Sequence, residues 1–367
     1  MKKIITAAII IALFSCKSQT MKPQEETSFY VGTYTTGASK GIYKYKIDAN
    51  GKLSKVGLMA TANNPSFLAK TKDNKTLIAV EETNENGTGA VKSFKILKDT
   101  LVFVSKSKSG GAHPCFVNVN DNNEVLVANY TGGNVGYLKI DDANGLTNLL
   151  AIQQHTGKGT TSRQEAPHAH STWFHPNKEE VVSVDLGTNE LWFSAVLEDE
   201  KTFAYTPQKT LKMAAGAGPR HLAFHPNKNW MYVLNELNNT VSLIKEKEEV
   251  YFIDTTITML PKDYSEYSSG ADIHISNDGK FLYASNRGHN SIVIYKVNAA
   301  SGLLTLVGFE NTRGANPRNF SLTPDNTFLI VANQDANNLI SFQRNKETGL
   351  LTFVSEISAP KPVCVLF

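Results

Sequence analysis

The chain has 367 residues, of which 41% are hydrophobic and 19% charged, and its formal net charge at pH 7 is +3. It contains no basic run of the kind that follows a nucleic-acid backbone, so we expect no nucleic-acid partner. The 3 cysteines are too few and too widely spaced for a disulfide framework or a Cys-rich zinc site. We expect Cys115 and Cys364 to be buried free thiols, with a single bridge between them as the alternative.

The N-terminal residues resemble a bacterial export signal. Lys2 and Lys3 precede an apolar run from Ile4 to Phe14, which is too short to span a bilayer. The run ends in Leu-Phe-Ser-Cys, which resembles a lipobox, where the signal is removed before the cysteine and the thiol is lipidated. We therefore predict lipidation of Cys16, with an ordinary secretory signal as the alternative.

These features predict three segments. Residues 1–15 are expected to be a signal peptide, residues 16–27 a polar, proline-containing tether, and residues 28–367 a folded domain with a large core. Both interpretations of the N-terminus place the protein outside the cytoplasm. With lipidation it is a lipoprotein on the periplasmic or cell-surface side, and the lipid is its only contact with the membrane.

The folded domain is predicted to be all-β. Apolar runs of five to seven residues, rich in Val, Ile, Tyr and Phe, alternate with Asn, Gly, Pro and Asp turns. No helical period persists beyond a turn or two.

One unit recurs along this domain: a polar start, an apolar strand, a turn such as His-Pro-Asn-Lys, and a strand ending in Asn or Asp. A weak copy begins at Pro65, and clear copies begin at His113, His170, Arg220, Ala271 and Arg318. The strand-ending residues are Asn129, Asp185, Asn235, Asn286 and Asn333. Their spacings of 56, 50, 51 and 47 match a four-stranded propeller blade, and the domain length then predicts a seven-bladed β-propeller. A pair of β-sandwiches, the alternative, does not carry such a repeat six times.

The two ends of the domain predict how the ring closes. Residues 361–367 have inner-strand character but no blade follows them, and residues 29–34 have outer-strand character but no inner strand precedes them. We predict that one blade is built from both termini, which leaves no open sheet edge between the first and last blades.

In a propeller, residues at equivalent positions of the sequence repeat lie at the same height around the central channel. The first residue of each inner strand and the last residue of the antiparallel second strand meet at one mouth of the channel. The strand-start ring is predicted to contain Ser66, Cys115, His170, Arg220, Ala271 and Arg318. The strand-end ring is predicted to contain Tyr130, Leu186, Glu236, Arg287 and Gln334.

The polar members of these rings indicate an enzyme that acts on a small anion. His and Glu transfer protons near neutral pH, and arginine forks suit carboxylate or phosphate oxygens. We predict His170 and Glu236 as catalytic residues and Arg220, Arg287 and Arg318 as substrate-binding residues.

Other interpretations of these residues remain open. Glu236 and Arg287 occupy equivalent places in adjacent blades and could form a structural ion pair. His168 and His170 share a strand face and could bind a metal, but no third ligand of matching register appears, so we expect no metal and no cofactor.

A second tier of candidate site residues consists of His168, Asp272 and His274. Asp272 and His274 share a strand face near the mouth, where they could orient a catalytic group.

Three segments, Gly216–Val241, Ala271–Ile292 and Asn316–Phe342, resemble the signature segments of the propeller-fold 6-phosphogluconolactonases and carboxy-cis,cis-muconate cyclases. The likeness extends from about Ser28 to the C-terminus. In that family the proposed site residues are the His of a His-Ser pair, the Arg of Gly-Pro-Arg-His, the Glu of Asn-Glu-Leu and the Arg that ends a strand after Asn. They match His170, Arg220, Glu236 and Arg287 here.

The resemblance implies the opening, or in reverse the closing, of a lactone that bears a carboxylate or phosphate. The arginines would hold the anionic group and polarise the ester carbonyl, while His170 or Glu236 activates water or protonates the leaving alkoxide. No covalent nucleophile is evident. The export signal departs from the family pattern, because a phosphorylated sugar lactone is a cytoplasmic metabolite. This argues against 6-phosphogluconolactone itself, but not against the lactone of an exported sugar acid.

Two other functions compete with this one. Strand ends such as Leu-Tyr-Ala-Ser-Asn also resemble the YVTN repeats of non-catalytic surface propellers, which would not need the His, Glu and Arg residues of the mouth. A metal-dependent gluconolactonase-like propeller would need Glu, Asn and Asp around a divalent ion and could recruit Glu236 with Asn235 or Asn286. Its sequence pattern does not match this chain.

Overall fold

The computed structural model describes residues 26–141, 143 and 145–367. They form 29 β-strands in seven sheets, and no helix occurs among them. Consequently, the described residues contain no helix long and apolar enough to cross a membrane. The predicted signal peptide and Cys16 lie outside this part of the chain.

The seven sheets are the blades of a β-propeller, and the prediction of a seven-bladed ring is confirmed. From the channel outwards, blade 1 consists of β29 (Pro362–Leu366), β1 (Thr27–Thr33), β2 (Gly41–Ile47) and β3 (Leu53–Thr61). Blade 2 consists of β4 (Leu68–Lys70), β5 (Thr76–Glu85), β6 (Thr88–Ile96) and β7 (Leu101–Lys108). Blade 3 consists of β8 (Pro114–Val119), β9 (Glu124–Asn129) and β10 (Asn134–Asp141), with β11 (Gly145–Leu146) and β12 (Ala151–Gln154) both paired to β10.

The remaining blades repeat the same order. Blade 4 consists of β13 (Ala169–Phe174), β14 (Val181–Asp185), β15 (Glu190–Leu197) and β16 (Thr202–Lys212). Blade 5 consists of β17 (Pro219–Phe224), β18 (Trp230–Asn235), β19 (Thr240–Lys247) and β20 (Val250–Thr258). Blade 6 consists of β21 (Ser269–Ile275), β22 (Phe281–Arg287), β23 (Ser291–Val297) and β24 (Leu304–Asn311). Blade 7 consists of β25 (Pro317–Leu322), β26 (Phe328–Asn333), β27 (Asn338–Arg344) and β28 (Leu351–Ser358).

The ring closes through blade 1, as predicted. The C-terminal strand β29 pairs antiparallel with β1, so that Val365 lies opposite Val31 and Cys364 opposite Gly32. The N-terminal strand is the second strand of the blade rather than its outer edge, because β2 and β3 continue the sheet outwards.

The apolar core lies between the blades. Seven buried clusters are present in the described residues, and each joins two neighbouring sheets. Between blades 6 and 7, for example, Phe281 and Tyr283 pack with Phe320 and Leu329. Cys115 and Cys364 belong to two of these clusters and are free, buried thiols. The alternation of apolar residues along each strand therefore serves packing against both neighbouring blades.

The recurring Asn at the strand ends ties successive blades together. Its side-chain amide donates to a carbonyl of the segment that arrives from the preceding blade, as seen for Asn129 to Ser109, Asn286 to Met259 and Asn333 to Thr312, at 3.0, 2.8 and 2.8 Å. In blade 4 an Asp stands at this position, and Nδ1 of His155 from the arriving segment lies 2.7 Å from Oδ2 of Asp185. In blades 3, 6 and 7 the repeated Asn thus satisfies a backbone carbonyl of the connection before it. In blade 5 the Asn235 amide instead donates to the hydroxyls of Thr240 and Ser242 within the same sheet.

Removing residues 362–367 should prevent folding of the ring. The deletion exposes one edge of β1 and removes Val363, Cys364 and Val365 from the core. A fully buried apolar side chain contributes about 1.5–3 kcal/mol, and whole domains are stable by only about 5–15 kcal/mol. We expect aggregation or loss of the cooperative thermal transition.

The matched control is Lys361→Ala, which removes only an exposed contact of 3.2 Å to Asp335. We expect it to melt at nearly the wild-type temperature. A truncated chain that melts like the wild type would contradict closure by β29.

Candidate active site

The two predicted rings of side chains meet at one mouth of the channel. In six blades the backbone N–H of the strand-end residue donates to the carbonyl two positions before the strand start. These bonds are Tyr34 to Lys361, Glu82 to Asn64, Tyr130 to His113, Leu186 to His168, Glu236 to Gly218 and Gln334 to Asn316, at 2.7–3.1 Å. In blade 6, Arg287 pairs with Ser269 in the sheet. The register predicted from the sequence therefore holds around the ring.

The same bond identifies two ring members that the sequence did not reveal. Glu82 holds the strand-end position of blade 2, and Tyr34 holds it in blade 1. The blade 2 copy lacks the Asn or Asp that marks the strand end elsewhere, since Glu81 stands in its place. Blade 1 combines the two termini, so no continuous repeat could be aligned there.

The mouth encloses a cleft of about 360 Å³. Its lining residues are Glu82, Cys115, Tyr130, Arg163, His170, Glu236, Tyr267, Arg287 and Arg318. A small adjoining void shares Cys115 and Arg318 with it and reaches Arg220. The structure thus brings together the five residues predicted to act in catalysis and substrate binding.

Glu236 lies at the centre of a cluster of arginines. Its Oε1 is 3.2 Å from Nη2 of Arg163, and its Oε2 is 3.1 Å from Nε of Arg220 and 3.0 Å from Nη2 of Arg287. Burial raises the pKa of Glu236, but the positive charges of Arg287, Arg220, Arg163 and Arg318 outweigh it and lower the pKa to about 2. Glu236 is therefore ionised at any physiological pH. The ion pair between blades 5 and 6 considered from the sequence is present, and both of its members also line the cleft.

Arg163 was not identified from the sequence. It lies in the connection between β12 and β13, outside the repeated unit, and its side chain is half exposed. Its Nη2 also donates to the Tyr130 hydroxyl at 3.0 Å. No periodic signal could have placed it here.

A buried chain of polar groups supports Arg220 from behind. Its Nη1 donates to the carbonyl of Ala271 and to Nε2 of His221, which lies 3.3 Å away. Nδ1 of His221 is 2.8 Å from Oδ1 of Asp272. Burial and the charge of Arg220 lower the pKa of His221 to about 4, so its neutral ring donates through Nδ1 and accepts through Nε2. Asp272 thus orients an arginine through His221, a residue that the sequence did not single out.

Two buried donors of the cluster lack acceptors among the described residues. Nε of Arg220 is close enough to Glu236 for an ion pair but is not aligned for a hydrogen bond, and Nε of Arg287 also has no partner. Burial and the neighbouring Arg318 and Arg287 lower the pKa of Arg220 to about 9, which still leaves it charged at pH 7. Unsatisfied buried polar groups are unusual in folded proteins, and each calls for an explanation such as strain, a catalytic role or an ordered water.

His170 is a neutral imidazole within this positive environment. Burial lowers its pKa well below the ordinary value of 6.5, and Arg220, His221 and Arg318 lower it further. Nδ1 of His170 lies 3.8 Å from Sγ of Cys115, and Nε2 has no hydrogen-bond partner among the described residues. In the tautomer that carries its proton on Nδ1, the ring can accept a proton at Nε2.

All three second-tier candidates lie outside the cleft lining, and Asp272 acts behind it through His221. His168 contacts the Tyr130 carbonyl at 3.1 Å and Glu165 at 3.3 Å, and its ring stacks on Tyr130. His274 lies 3.0 Å from Asp272 and packs against Phe320. Both have structural contacts that account for their positions.

The described residues contain no group of three or more His, Cys, Asp and Glu side chains arranged to hold a metal ion. The carboxylate that a metal-dependent mechanism would recruit, Glu236, already has arginines at both oxygens. A divalent cation would have to displace these guanidiniums, so the donor set does not suit one.

Comparison with known proteins agrees with the seven-bladed fold. The family model described as "Lactonase, 7-bladed beta-propeller" matches residues 28–367. The chain is 39% identical to a Bacillus subtilis 6-phosphogluconolactonase over 349 residues, covering 92% of this chain and 97% of the relative. It is 33% identical to a 6-phosphogluconolactonase of Formosa agariphila, covering 80% and 86% of the two chains. The structure of a Pseudomonas aeruginosa periplasmic gluconolactonase superposes with a TM-score of 0.88 at 26% identity, covering 93% and 98%.

Replacing Glu236 by Gln should destabilise the fold strongly. The variant keeps the side-chain volume but leaves Arg163, Arg220 and Arg287 without their shared negative charge. Breaking a buried ion pair from one side costs about 3–5 kcal/mol, which denaturant unfolding at pH 7 would measure.

Arg163→Gln is the control, because it removes the half-exposed partner of the same carboxylate. Its expected cost is less than about 1 kcal/mol. Equal, small losses in the two variants would contradict the central role of Glu236 in the cluster.

Proposed function

The chain belongs to the lactonase family of seven-bladed β-propellers and is a lactone hydrolase, and we propose that its reaction takes place in the cleft at the mouth of the channel. The observation that carries this proposal is a neutral histidine with a free Nε2, surrounded by arginines, in a cleft of suitable size for a small ligand. A non-catalytic binding propeller would not require this combination.

His170 is the general base in this proposal. Its Nε2 takes a proton from water as the water oxygen adds to the lactone carbonyl carbon. The ring C–O bond then breaks, and the imidazolium returns the proton to the leaving oxygen, so that a hydroxy acid is formed. The lowered pKa of His170 leaves the ring unprotonated at neutral pH, which a base requires, and it also makes the ring a weaker base than an ordinary histidine. The position of Nε2 in the cleft, rather than its pKa, therefore supports this role.

Glu236 acts as a positioning residue rather than as the base. A carboxylate with a pKa of about 2, paired with three guanidiniums, is a weak proton acceptor. Its function is to hold the guanidiniums of Arg220 and Arg287 so that their positive charge stabilises the oxyanion that develops at the carbonyl oxygen.

Arg318 is the residue best suited to bind a separate anionic group of the substrate. Its guanidinium lies 5.4 Å from the ring centroid of Tyr34 and has no hydrogen-bond or ion-pair partner among the described residues. The four arginines of the site, Arg163, Arg220, Arg287 and Arg318, exceed its two carboxylates, Glu82 and Glu236, by two positive charges. This excess favours a carboxylate- or phosphate-bearing lactone.

Two relatives carry names that refine the substrate class, since one is a 6-phosphogluconolactonase and another a periplasmic gluconolactonase. We propose a sugar-acid lactone as the substrate. An exported, lipid-anchored protein would act on such a compound outside the cytoplasm, which is in accord with the second name.

Replacing His170 by Gln should lower kcat about 10²–10⁴-fold on a sugar lactone, the usual range for removal of a general base. In the wild type, kcat/KM should stay constant from pH 8 to below pH 6.5 and fall only in more acid solution, because protonation of His170 requires a pH well under its ordinary pKa. Stopped-flow or indicator assays across pH 4–8 would measure both effects.

His168→Gln serves as the control in these assays, since His168 does not line the cleft. It should keep the wild-type kcat per folded molecule. A full rate in His170→Gln, or an acid limb centred at pH 6.5 or above, would contradict the assignment of the base.

Replacing Cys16 by Ala should leave export intact but release the protein from the membrane fraction, because the thiol is the proposed site of the lipid anchor. Fractionation of expressing cells, followed by immunoblotting, would detect the change. Continued sedimentation of the variant with membranes would contradict the anchor.

A further inference from the structure

A second carboxylate, Glu82, lines the cleft across the ring from the arginine cluster. Glu82 and Ser66 belong to blade 2, Tyr34 to blade 1 and Arg318 to blade 7, whereas Glu236 belongs to blade 5. The cleft therefore has two acidic side chains on different walls, and only one of them is used in the mechanism above.

Glu82 is held by hydroxyl groups and not by arginines. The Tyr34 hydroxyl donates to Oε1 at 3.1 Å and to Oε2 at 3.0 Å. The hydroxyl of the buried Ser66 donates to Oε2. Among the described residues Glu82 forms no ion pair, in contrast to Glu236.

This arrangement leaves acceptor capacity free on an oriented carboxylate. A carboxylate offers about four acceptor positions, and Tyr34 and Ser66 do not occupy all of them. Because Glu82 lines the cleft, the remaining positions are available to a bound molecule. The free guanidinium of Arg318, which lies over the Tyr34 ring, supplies donors beside these acceptors.

We propose that Glu82, positioned by Tyr34 and Ser66, accepts hydrogen bonds from ring hydroxyls of the substrate and so determines specificity for hydroxylated lactones. This inference rests on the proposed hydrolysis of a sugar-acid lactone in the cleft. Carboxylates accept strong hydrogen bonds from hydroxyl groups, and an analogue without the hydroxyl leaves the carboxylate without its partner. Arg318 binds the neighbouring oxygen atoms of the same substrate.

The test compares substrates that differ by a single hydroxyl. The full-length wild-type protein and the variants Glu82→Gln and Tyr34→Phe are assayed on D-glucaro-1,4-lactone, which carries a free carboxylate, on the neutral D-glucono-δ-lactone, and on analogues of each that lack one ring hydroxyl. Glu85→Gln, an exposed position on the same strand outside the cleft, is the matched control. Values of kcat and KM are determined separately, and the melting temperature of each variant is recorded.

We expect the wild type to prefer the fully hydroxylated lactone over at least one analogue by about ten- to a hundredfold in kcat/KM, the range for loss of one hydrogen bond to a charged group. In Glu82→Gln this ratio should fall, mainly through KM, because the neutral amide oxygen accepts a weaker hydrogen bond than the carboxylate does. Tyr34→Phe should reduce the ratio partly. Glu85→Gln should keep the wild-type ratio.

Three results would overturn the inference. The first is a wild type without preference among the substrates, and the second is a Glu82→Gln variant that keeps the wild-type preference. The third is an equal fall of kcat on all substrates at an unchanged melting temperature, which would place Glu82 at the reacting atoms instead. A wild type that hydrolyses none of these lactones would contradict the proposed function itself.

Discussion

The antiparallel pairing of the first two strands in every blade is the constraint on which the site depends. It returns the chain to the mouth where the inner strand began, so each blade contributes two neighbouring side chains at one height. Seven blades therefore surround one small volume with residues that are far apart in sequence. His170 and Arg287 meet there although 117 positions separate them.

The charge distribution follows from this convergence. Four guanidiniums within one cleft repel each other, and the buried Glu236 makes their proximity possible by pairing with three of them. Burial, together with the same positive field of Arg220 and Arg318, keeps His170 neutral by lowering its pKa. Stabilisation of the arginine cluster and preparation of the base are thus two effects of one arrangement.

The repeat made most of the fold and most of the cleft lining predictable. Equivalent positions of blades 3 to 7 could be aligned, and this was sufficient to place His170, Arg220, Glu236, Arg287 and Arg318 at one mouth. Glu82 and Tyr34 were missed because a substitution obscures the repeat in blade 2 and the chain ends interrupt it in blade 1.

Contacts outside the repeat could not be predicted either. Arg163 reaches Glu236 from an irregular connection, and the support of Arg220 by His221 and Asp272 depends on side-chain directions that alternation alone does not give. The sequence repeat indicates which residues lie at the same height around the channel. It does not indicate which of their side chains form hydrogen bonds or ion pairs with each other.

Closure by β29 also determines when the protein can become a ring during its synthesis. Blades 2 to 7 are each continuous in sequence and can form as they emerge, but β1 is made among the first residues and its partner β29 among the last. At about 5–20 residues per second, some 20–70 s separate the two strands. Throughout that interval the inner edge of β1 lacks its partner, which leaves its backbone N–H and C=O groups open to pairing with another chain.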